Sequence, residues 1–195
     1  MLKRLLVLTI VFAFSATGSQ AADWEIDVAH SSIGFSVSHL VISKVKGSFH
    51  DYSATINFEA DKLESGTVEM TVQIGSIDTD DAKRDEHLKS PDFFDAAGFP
   101  SMTFISKSVH DIDGNKFKIT GDLTIRGTTR EVVFDAEFRG VVNDPWGNTK
   151  AGFSATSEIN RQDFGVKWNK SLDAGGVVVG DDVTIELELE LAMVK

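Results

Sequence analysis

The sequence predicts an all-β protein of about eight antiparallel strands. Segments in which apolar and polar residues alternate with a period of two fill most of the chain after residue 22, and turn-forming residues separate them. The last segment, residues 183–193, is the clearest, because its apolar residues alternate with threonine and glutamate. Such strands fit a closed barrel or a sandwich. A final strand of this length favours closure, because a long free edge promotes aggregation.

Residues 1–21 have the pattern of a secretory signal peptide. Lys3 and Arg4 form a short basic start, an apolar run follows, and the small residues Ser19 and Ala21 precede a cleavage site after residue 21 or 22. The apolar run is too short for a membrane anchor, and no later run reaches membrane-spanning length. We therefore expect an exported, soluble protein without an integral membrane segment.

The remaining residues, 22–195, are enough for a single domain. No cysteine occurs, so the domain depends on its core rather than on disulfides. The formal net charge is −11 for the whole chain, and it becomes −13 when Lys3 and Arg4 leave with the signal peptide. This acidic balance argues against nucleic acid as a partner and against charge-driven binding to anionic membranes.

The first three predicted strands fall between residues 33 and 76. In the first strand, one face is apolar apart from a histidine and consists of Ile33, Phe35, Val37 and His39. The second strand follows Gly47, a residue suited to a bend or bulge, and its inward residues are Ala54, Ile56 and Phe58. The apolar face of the third strand consists of Val68, Met70, Val72 and Ile74. These faces predict an apolar interior.

The next segment breaks the strand pattern. We predict a helix over residues 80–88, capped by Asp78 or Thr79, and a second short helix that starts at Ser90. Together they form a short helical insert around residues 79–98. Irregular segments between regular strands often select ligands, so this insert is a candidate functional region.

Five further strands complete the pattern. Turns that contain glycine, asparagine or proline join them, and they cover residues 101–106, 116–125, 131–140, 151–159 and 183–193. A second irregular segment, residues 161–173, precedes the last of these strands.

The usual catalytic signatures are missing. Residues 152–156 resemble a nucleophile elbow only superficially, because they lie in a strand, and no zinc-protease spacing occurs. The histidines leave one alternative open, in which His30 or His39 binds a metal together with Glu86 or His87. A lone strand histidine is more often a surface group, so we predict no catalytic residue, no metal and no cofactor.

Basic residues stand out in so acidic a chain. Those that lie in or beside turns are Lys44, Arg84, Arg126, Arg130, Arg161 and Lys167. If two or three of them meet at one mouth of the barrel, they suit an anionic head group such as phosphate. Pairing with neighbouring carboxylates, such as Arg84 with Asp81 or Asp85, is the alternative.

Motifs spread along the chain identify a family. They include DxxHS at residues 27–31, RDxHL at 84–88, FPxMxF at 99–104, GxLTI at 121–125 and RxDFG at 161–165. In this order, and over nearly the whole chain after the signal peptide, they resemble the YceI-like family of periplasmic proteins.

The resemblance implies a lipocalin-like, eight-stranded antiparallel β-barrel in the periplasm. Its implied ligand is a long-chain isoprenoid lipid, either an isoprenoid quinone or a polyprenyl phosphate. Matching of motifs and strand faces gives candidates for the apolar tunnel, which are Ile33, Phe35, Val37, Phe93, Phe94, Met102, Phe104 and Phe164. Candidates for the rim and head group are His39, Arg84, His87 and Arg161. Arg84 and His87 lie near the rim or brace the insert on this interpretation.

Two other functions stay open at this point. One is a lipid-acting hydrolase that uses His39 with Asp85 or His87. The other is an acidic stress or interaction protein whose barrel is filled by its own side chains. A homodimer is also open, because small barrels can pair through a polar sheet face.

Overall fold

The computed structural model describes residues 22–171 and 175–194, and their strands form one antiparallel sheet. The strand segments are β1 (Ala22–Ile26), β2 (Ser32–His39), β3 (Ser43–Phe49), β4 (Tyr52–Phe58), β5 (Thr67–Gln73), β6 (Ile77–Asp78), β7 (Ser101–Asp113), β8 (Lys116–Ile125), β9 (Thr128–Asn143), β10 (Thr149–Asn160) and β11 (Val179–Met193). The insert contains the helix α1 (Ala82–Lys89). Short 3-10 helices occupy Val28–His30, Leu63–Ser65, Ile74–Ser76 and Arg161–Phe164.

The eleven described segments make eight strands, because three strands are interrupted. β1 pairs with β4 and β2 pairs with β3, so β1–β2 and β3–β4 are two long neighbouring strands. β5 pairs with β4 and β6 pairs with β3, which makes β5–β6 the third. β7 to β11 follow in order, and β11 closes the ring by pairing with both β1 and β2. The closed eight-stranded antiparallel barrel predicted from the sequence is confirmed.

The connections between strands fall at two ends of the barrel, because neighbouring strands run in opposite directions. The insert end carries the connections at residues 40–42, 79–100, 126–127, 161–171 and 175–178. The termini end carries those at residues 59–66, 114–115 and 144–148, and the described chain also begins and ends there. A cluster of aromatic rings packs inside the termini end, where Trp24 stacks on Phe58 at 4.7 Å between ring centroids.

The helical insert differs from its prediction at both ends of the helix. Helix α1 begins at Ala82 rather than at residue 80, because Asp81 accepts the hydrogen bonds of the first helical N–H groups and Asp80 has a φ of 61°. The predicted caps, Asp78 and Thr79, lie outside the helix. The predicted second helix at Ser90 is wrong as well. Ser90 ends α1 through hydrogen bonds to the carbonyl of His87, and residues 91–94 form turns.

Two parts of the sequence interpretation fall wholly or partly outside the described residues. The predicted signal peptide, residues 1–21, lies outside them, and it stays a prediction. Of the second irregular segment, the structure describes residues 161–171 and shows a 3-10 helix at Arg161–Phe164. Within the described chain, no helix has the length and apolar character needed to cross a membrane.

A salt-bridge cluster reinforces the seam at which the barrel closes. Lys150 Nζ on β10 lies 2.6 Å from Asp27 Oδ2, just after β1, and 3.2 Å from Glu190 Oε1 on β11. The hydrogen bond from Lys150, supported by one from His30, lowers the pKa of Asp27 to about 2. The ionised carboxylate therefore stabilises the folded state.

Replacing Asp27 with asparagine is expected to lower the free energy of unfolding near neutral pH by about 1 kcal/mol. The folded-state pKa is depressed, so the wild-type carboxylate contributes fully above its unfolded pKa of about 4 and loses its effect as the pH falls towards about 2. Urea unfolding followed by tryptophan fluorescence at neutral and acidic pH measures the difference. Asp135→Asn, which breaks an exposed ion pair with Lys118, serves as the control and should change little. An effect of Asp27→Asn that does not shrink at acidic pH would contradict the role of this carboxylate.

Candidate functional site

Two apolar cavities lie along the barrel interior. The insert-side cavity has a volume of about 120 Å³ and is lined by residues of β2, β11, the insert and the segment after β10. The termini-side cavity has a volume of about 140 Å³ and is lined mainly by β4, β5, β7, β8 and β11. Both cavities share the lining residues Ile33, Met102, Ile125 and Ile185. The interior is therefore an elongated apolar space with a boundary at these four side chains.

The lining offers a ligand hydrocarbon rather than polar groups. In the insert-side cavity, every described lining residue is apolar or glycine except Arg161. In the termini-side cavity, the polar residues among the described lining are Asn57, Thr67, Thr103 and Ser154. Of all the described lining residues, Arg161 alone is charged. Such a space can exclude water and bury an apolar chain.

The structure places all eight predicted tunnel residues in a cavity wall. Five of them line the insert-side cavity, and they are Phe35, Val37, Phe93, Phe94 and Phe164. Phe104 lines the termini-side cavity, and Ile33 and Met102 lie at the boundary between the two. Their contact with a ligand stays a prediction.

Two of these phenylalanines lie flat against the wall because glycine faces them on the neighbouring strand. A Cβ atom at position 47 would lie 2.5 Å from the ring of Phe35, and one at position 121 would clash with the ring of Phe104. Gly47 was predicted to make a bend or bulge, but the pairing of β2 with β3 continues through it without a register shift. Its role is to leave room for the Phe35 ring and so to keep the lumen open.

Phe93 and Phe94 reach the cavity because the turn after α1 is fixed by backbone hydrogen bonds. The N–H of Phe93 donates to the carbonyl of Ser90, and the N–H of Phe94 donates to that of Leu88. Phe94 then meets the buried Phe49 edge-on, at 6.2 Å between ring centroids. The insert thus closes one side of the barrel with aromatic rings.

Arg84 and His87 brace this insert and do not line either cavity. Arg84 donates through Nε to Thr79 Oγ1 and through Nη2 to the carbonyl of Thr79. His87 Nε2 lies 3.0 Å from Asp92 Oδ2, and its ring contacts Phe93 and Trp168 edge-on. Bracing is one of the two roles that the sequence suggested. These contacts leave neither side chain directed at the cavities.

Arg161 is buried, with 6% of its surface exposed, and its donors are used by the protein. Nε donates to the carbonyl of Gly180, and Nη1 donates to the carbonyls of Val166 and Trp168. Nη2 lies near the Val179 carbonyl and Asp181 Oδ1. Burial lowers the pKa of this guanidinium, and Asp181 opposes that effect. Arg161 therefore fixes the segment after β10, and no donor is left over for a head group.

Arg126 has a related role that the sequence did not reveal. Its Nη1 donates to the carbonyl of Phe93 at 2.8 Å and to that of Gly165 at 3.3 Å. It therefore ties the insert to the segment after β10. The sequence marked Arg126 only as a basic residue in a turn, because the two carbonyls lie more than thirty residues away along the chain.

His39 is the predicted rim residue without an assigned partner. It is half-buried at the end of β2, opposite Ser43 and Val179 in the two neighbouring strands. Among the described residues, its ring has no hydrogen-bond partner, and the insert-side cavity ends near it at Val37 and Val179. A head-group contact at His39 stays a prediction.

Residues suggested for a metal site or a hydrolase have other partners in the structure. His30 lies beside Asp27 and Glu190 rather than beside Glu86 or His87, and Lys150 already neutralises these two carboxylates. Asp85 accepts hydrogen bonds from the N–H and the hydroxyl of Thr79. None of the three, His30, Asp85 or His87, faces a cavity.

Known proteins resemble this chain in sequence and in fold. A family model described as a YceI-like domain matches residues 24–191. A UPF0312 protein of Vibrio parahaemolyticus is 38% identical over 180 residues, which cover 91% of this chain and 90% of that protein. The crystal structure of Burkholderia cenocepacia BcnA superposes with a TM-score of 0.75 at 27% identity and covers 85% of this chain and 98% of BcnA.

A more distant structure shares the fold alone. A polyisoprenoid-binding domain from Saccharophagus degradans, implicated in plant cell wall breakdown, superposes with a TM-score of 0.66 at 11% identity. The superposition covers 89% of this chain and 99% of that domain.

Replacing Arg161 with lysine is expected to lower the free energy of unfolding by about 2–4 kcal/mol. Lysine keeps the charge but cannot reach the carbonyls on both sides of the guanidinium, so buried acceptors lose their donors. Urea unfolding measures the change, and the fluorescence of Trp168 reports on the segment that Arg161 holds. Arg130→Lys, an exposed arginine with one hydrogen bond to a carbonyl, is the matched control and should change little. Equal stability of the Arg161→Lys and Arg130→Lys variants would contradict the role assigned to Arg161.

Proposed function

Because the chain belongs to the YceI-like family, we propose that it binds a long-chain isoprenoid lipid inside the barrel. The ligand is an isoprenoid quinone or a polyprenyl phosphate, and the protein carries or sequesters it in the periplasm. The signal-peptide pattern at residues 1–21 supports the location. The polyisoprenoid binding attributed to the Saccharophagus domain, which has the same fold, supports the ligand class.

The observation that carries this proposal is the elongated apolar interior. An isoprenoid chain has almost nothing to hydrogen-bond along its length, so its affinity comes from burial, at about 25 cal/mol for each Å² of apolar surface. The two cavities follow one another along the barrel and share Ile33, Met102, Ile125 and Ile185. A flexible chain can pass these side chains more readily than a rigid planar ligand, because Met102 and the isoleucines can change rotamer.

The geometry supports binding rather than catalysis. The hydrolase alternative needs His39 to act with Asp85 or His87, but Asp85 is held by Thr79 and His87 by Asp92. The alternative of a barrel filled by its own side chains is at odds with the two cavities. A head group at the insert end lies beside His39, whose ring has no partner among the described residues.

Native mass spectrometry of the protein purified from the periplasm tests the proposal. A co-purified lipid of isoprenoid mass, or uptake of ubiquinone or undecaprenyl phosphate by delipidated protein, is the expected result. Protein that is empty and takes up neither compound would overturn it. Release of a chemically altered lipid would instead favour the hydrolase.

Replacing Phe94 with alanine is expected to weaken lipid retention about tenfold, because the ligand loses apolar contact with one face of the ring. Retention is measured as the fraction of lipid that stays bound during gel filtration. Ile105→Ala, which removes an exposed apolar side chain from the outer face of β7, is the matched control and should retain lipid as the wild type does. Equal retention by both variants would place Phe94 outside the binding site.

A further inference from the structure

The hairpin that joins β2 to β3 presents two bare apolar side chains at the insert end. Val41 is 70% exposed and Ile42 is 86% exposed, although both are β-branched hydrocarbons. Val177 in the neighbouring segment is exposed as well. The N–H of Leu40 donates to the carbonyl of Val178, so the two segments lie side by side. We call Val41, Ile42 and Val177 the apolar tip.

The backbone conformation of the hairpin does not favour the apolar residues that form its tip. Leu40 and Val41 have φ values of 53° and 66°, and the N–H of Ile42 donates to the carbonyl of His39. Leu40 and Val41 are thus the two central residues of a β-turn with positive φ at both positions, a conformation in which asparagine followed by glycine is favoured. A β-branched residue with positive φ is strained, so the sequence keeps an apolar side chain where a polar or small one would fit better.

Four exposed lysines lie on the two segments that carry the apolar tip. Lys44 and Lys46 are exposed on β3 directly after the hairpin, and Lys167 and Lys170 are exposed in the neighbouring segment. The carbonyl of Lys170 accepts a hydrogen bond from the N–H of Val178, which fixes Lys170 beside the tip. None of the four forms a salt bridge within the described part of the chain.

Among the described residues, no carboxylate lies on the β2–β3 hairpin itself. The described carboxylates at the same end belong to the insert, the segment after β10 and the start of β11, and they include Asp80, Asp81, Asp92, Asp163, Asp181 and Asp182. Asp181 already accepts hydrogen bonds from Gln162 and Arg161. At physiological salt, charges act over about 8 Å, so a surface that meets the tip experiences Lys44 and Lys170 beside it more than the negative charge on distant parts of the protein.

We propose that the apolar tip and its four lysines dock the insert end of the barrel on an anionic lipid bilayer. Exposed hydrocarbon enters the boundary between head groups and acyl chains, and lysines contact the anionic head groups. The overall charge argued against membranes as partners, but it does not describe this end of the molecule. The proposal goes beyond lipid carriage, because the tip lies outside both cavities.

Docking at this end would also bring the cavity to the bilayer. The insert-side cavity extends along β2 and β11 to Val37 and Val179, and Val179 lies opposite His39 at the base of the hairpin. A lipid that leaves the bilayer at this point meets the apolar lining of the cavity at Val179, two residues after Val177 of the tip.

Vesicle flotation of the purified protein tests the proposal. Vesicles of phosphatidylcholine mixed with phosphatidylglycerol should carry wild-type protein at low salt, and vesicles of phosphatidylcholine alone should carry much less. Val41→Gly/Ile42→Thr should reduce binding about tenfold or more. The glycine suits the positive φ, so this variant should keep the melting temperature of the wild type and a loss of binding cannot be ascribed to unfolding. Lys44→Gln/Lys46→Gln should reduce binding about fivefold for each lysine.

Two matched controls make the test specific. Trp146→Ser removes an 83% exposed apolar side chain at the termini end, where the turn carries Asp144 and no lysine, and it should bind vesicles as the wild type does. Lys107→Gln/Lys118→Gln makes the same change in charge on the barrel wall and should also bind normally.

Several outcomes would overturn the docking proposal. They are a wild type that does not bind anionic vesicles, a Val41→Gly/Ile42→Thr variant that binds normally, and a Trp146→Ser variant that loses binding. A Val41→Gly/Ile42→Thr variant that converts a dimer into a monomer in sedimentation would show instead that the tip is an interface between copies of the chain. The vesicles contain no isoprenoid and Phe94→Ala should still bind them, so this test and the test of lipid retention can fail independently.

Discussion

A buried guanidinium holds together the end of the barrel at which the cavity is covered. Arg161 begins the segment after β10, and its hydrogen bonds reach the carbonyls of Val166, Trp168 and Gly180. A charge taken out of water is tolerated only when its donors find acceptors, so the segment that supplies these carbonyls has to follow one path. That path places Phe164 and Val166 in the cavity wall and Trp168 against His87.

The polar and apolar tasks at this end are carried out by different atoms of the same segments. Arg126 ties the insert to the segment after β10 through the carbonyls of Phe93 and Gly165, and Arg84 holds the start of the insert through Thr79. Because backbone carbonyls satisfy these arginines, the aromatic side chains of the insert remain free to face the interior. A cover built in this way can be rigid and still present only hydrocarbon to a ligand.

The barrel was predictable from the sequence because alternation reports directly on which side chains face inward. Ile33, Phe35 and Val37 fall in a cavity wall for this reason. The burial of Arg161 was not predictable, since its acceptors are backbone carbonyls and any sequence supplies those. The start of α1 was misplaced because Asp78, Thr79 and Asp81 are all suitable caps, and only the positive φ of Asp80 separates them. The interruptions within three strands carry no clear sequence signal, because alternation continues on either side of them.

Backbone strain is distributed unevenly between the two ends of the barrel. Of the six non-glycine residues with positive φ in the described chain, five belong to the insert end, namely Leu40, Val41, Asp80, Asp95 and Arg126. The sixth, Asp111, lies near the β7–β8 turn. Strained residues persist where the surrounding structure fixes them, and they concentrate at functional sites. At the termini end, Trp24 and Phe58 belong to regular strands, and their stacked rings fill the core. The backbone is therefore most constrained at the insert end, where the cavity, its cover and the apolar tip meet.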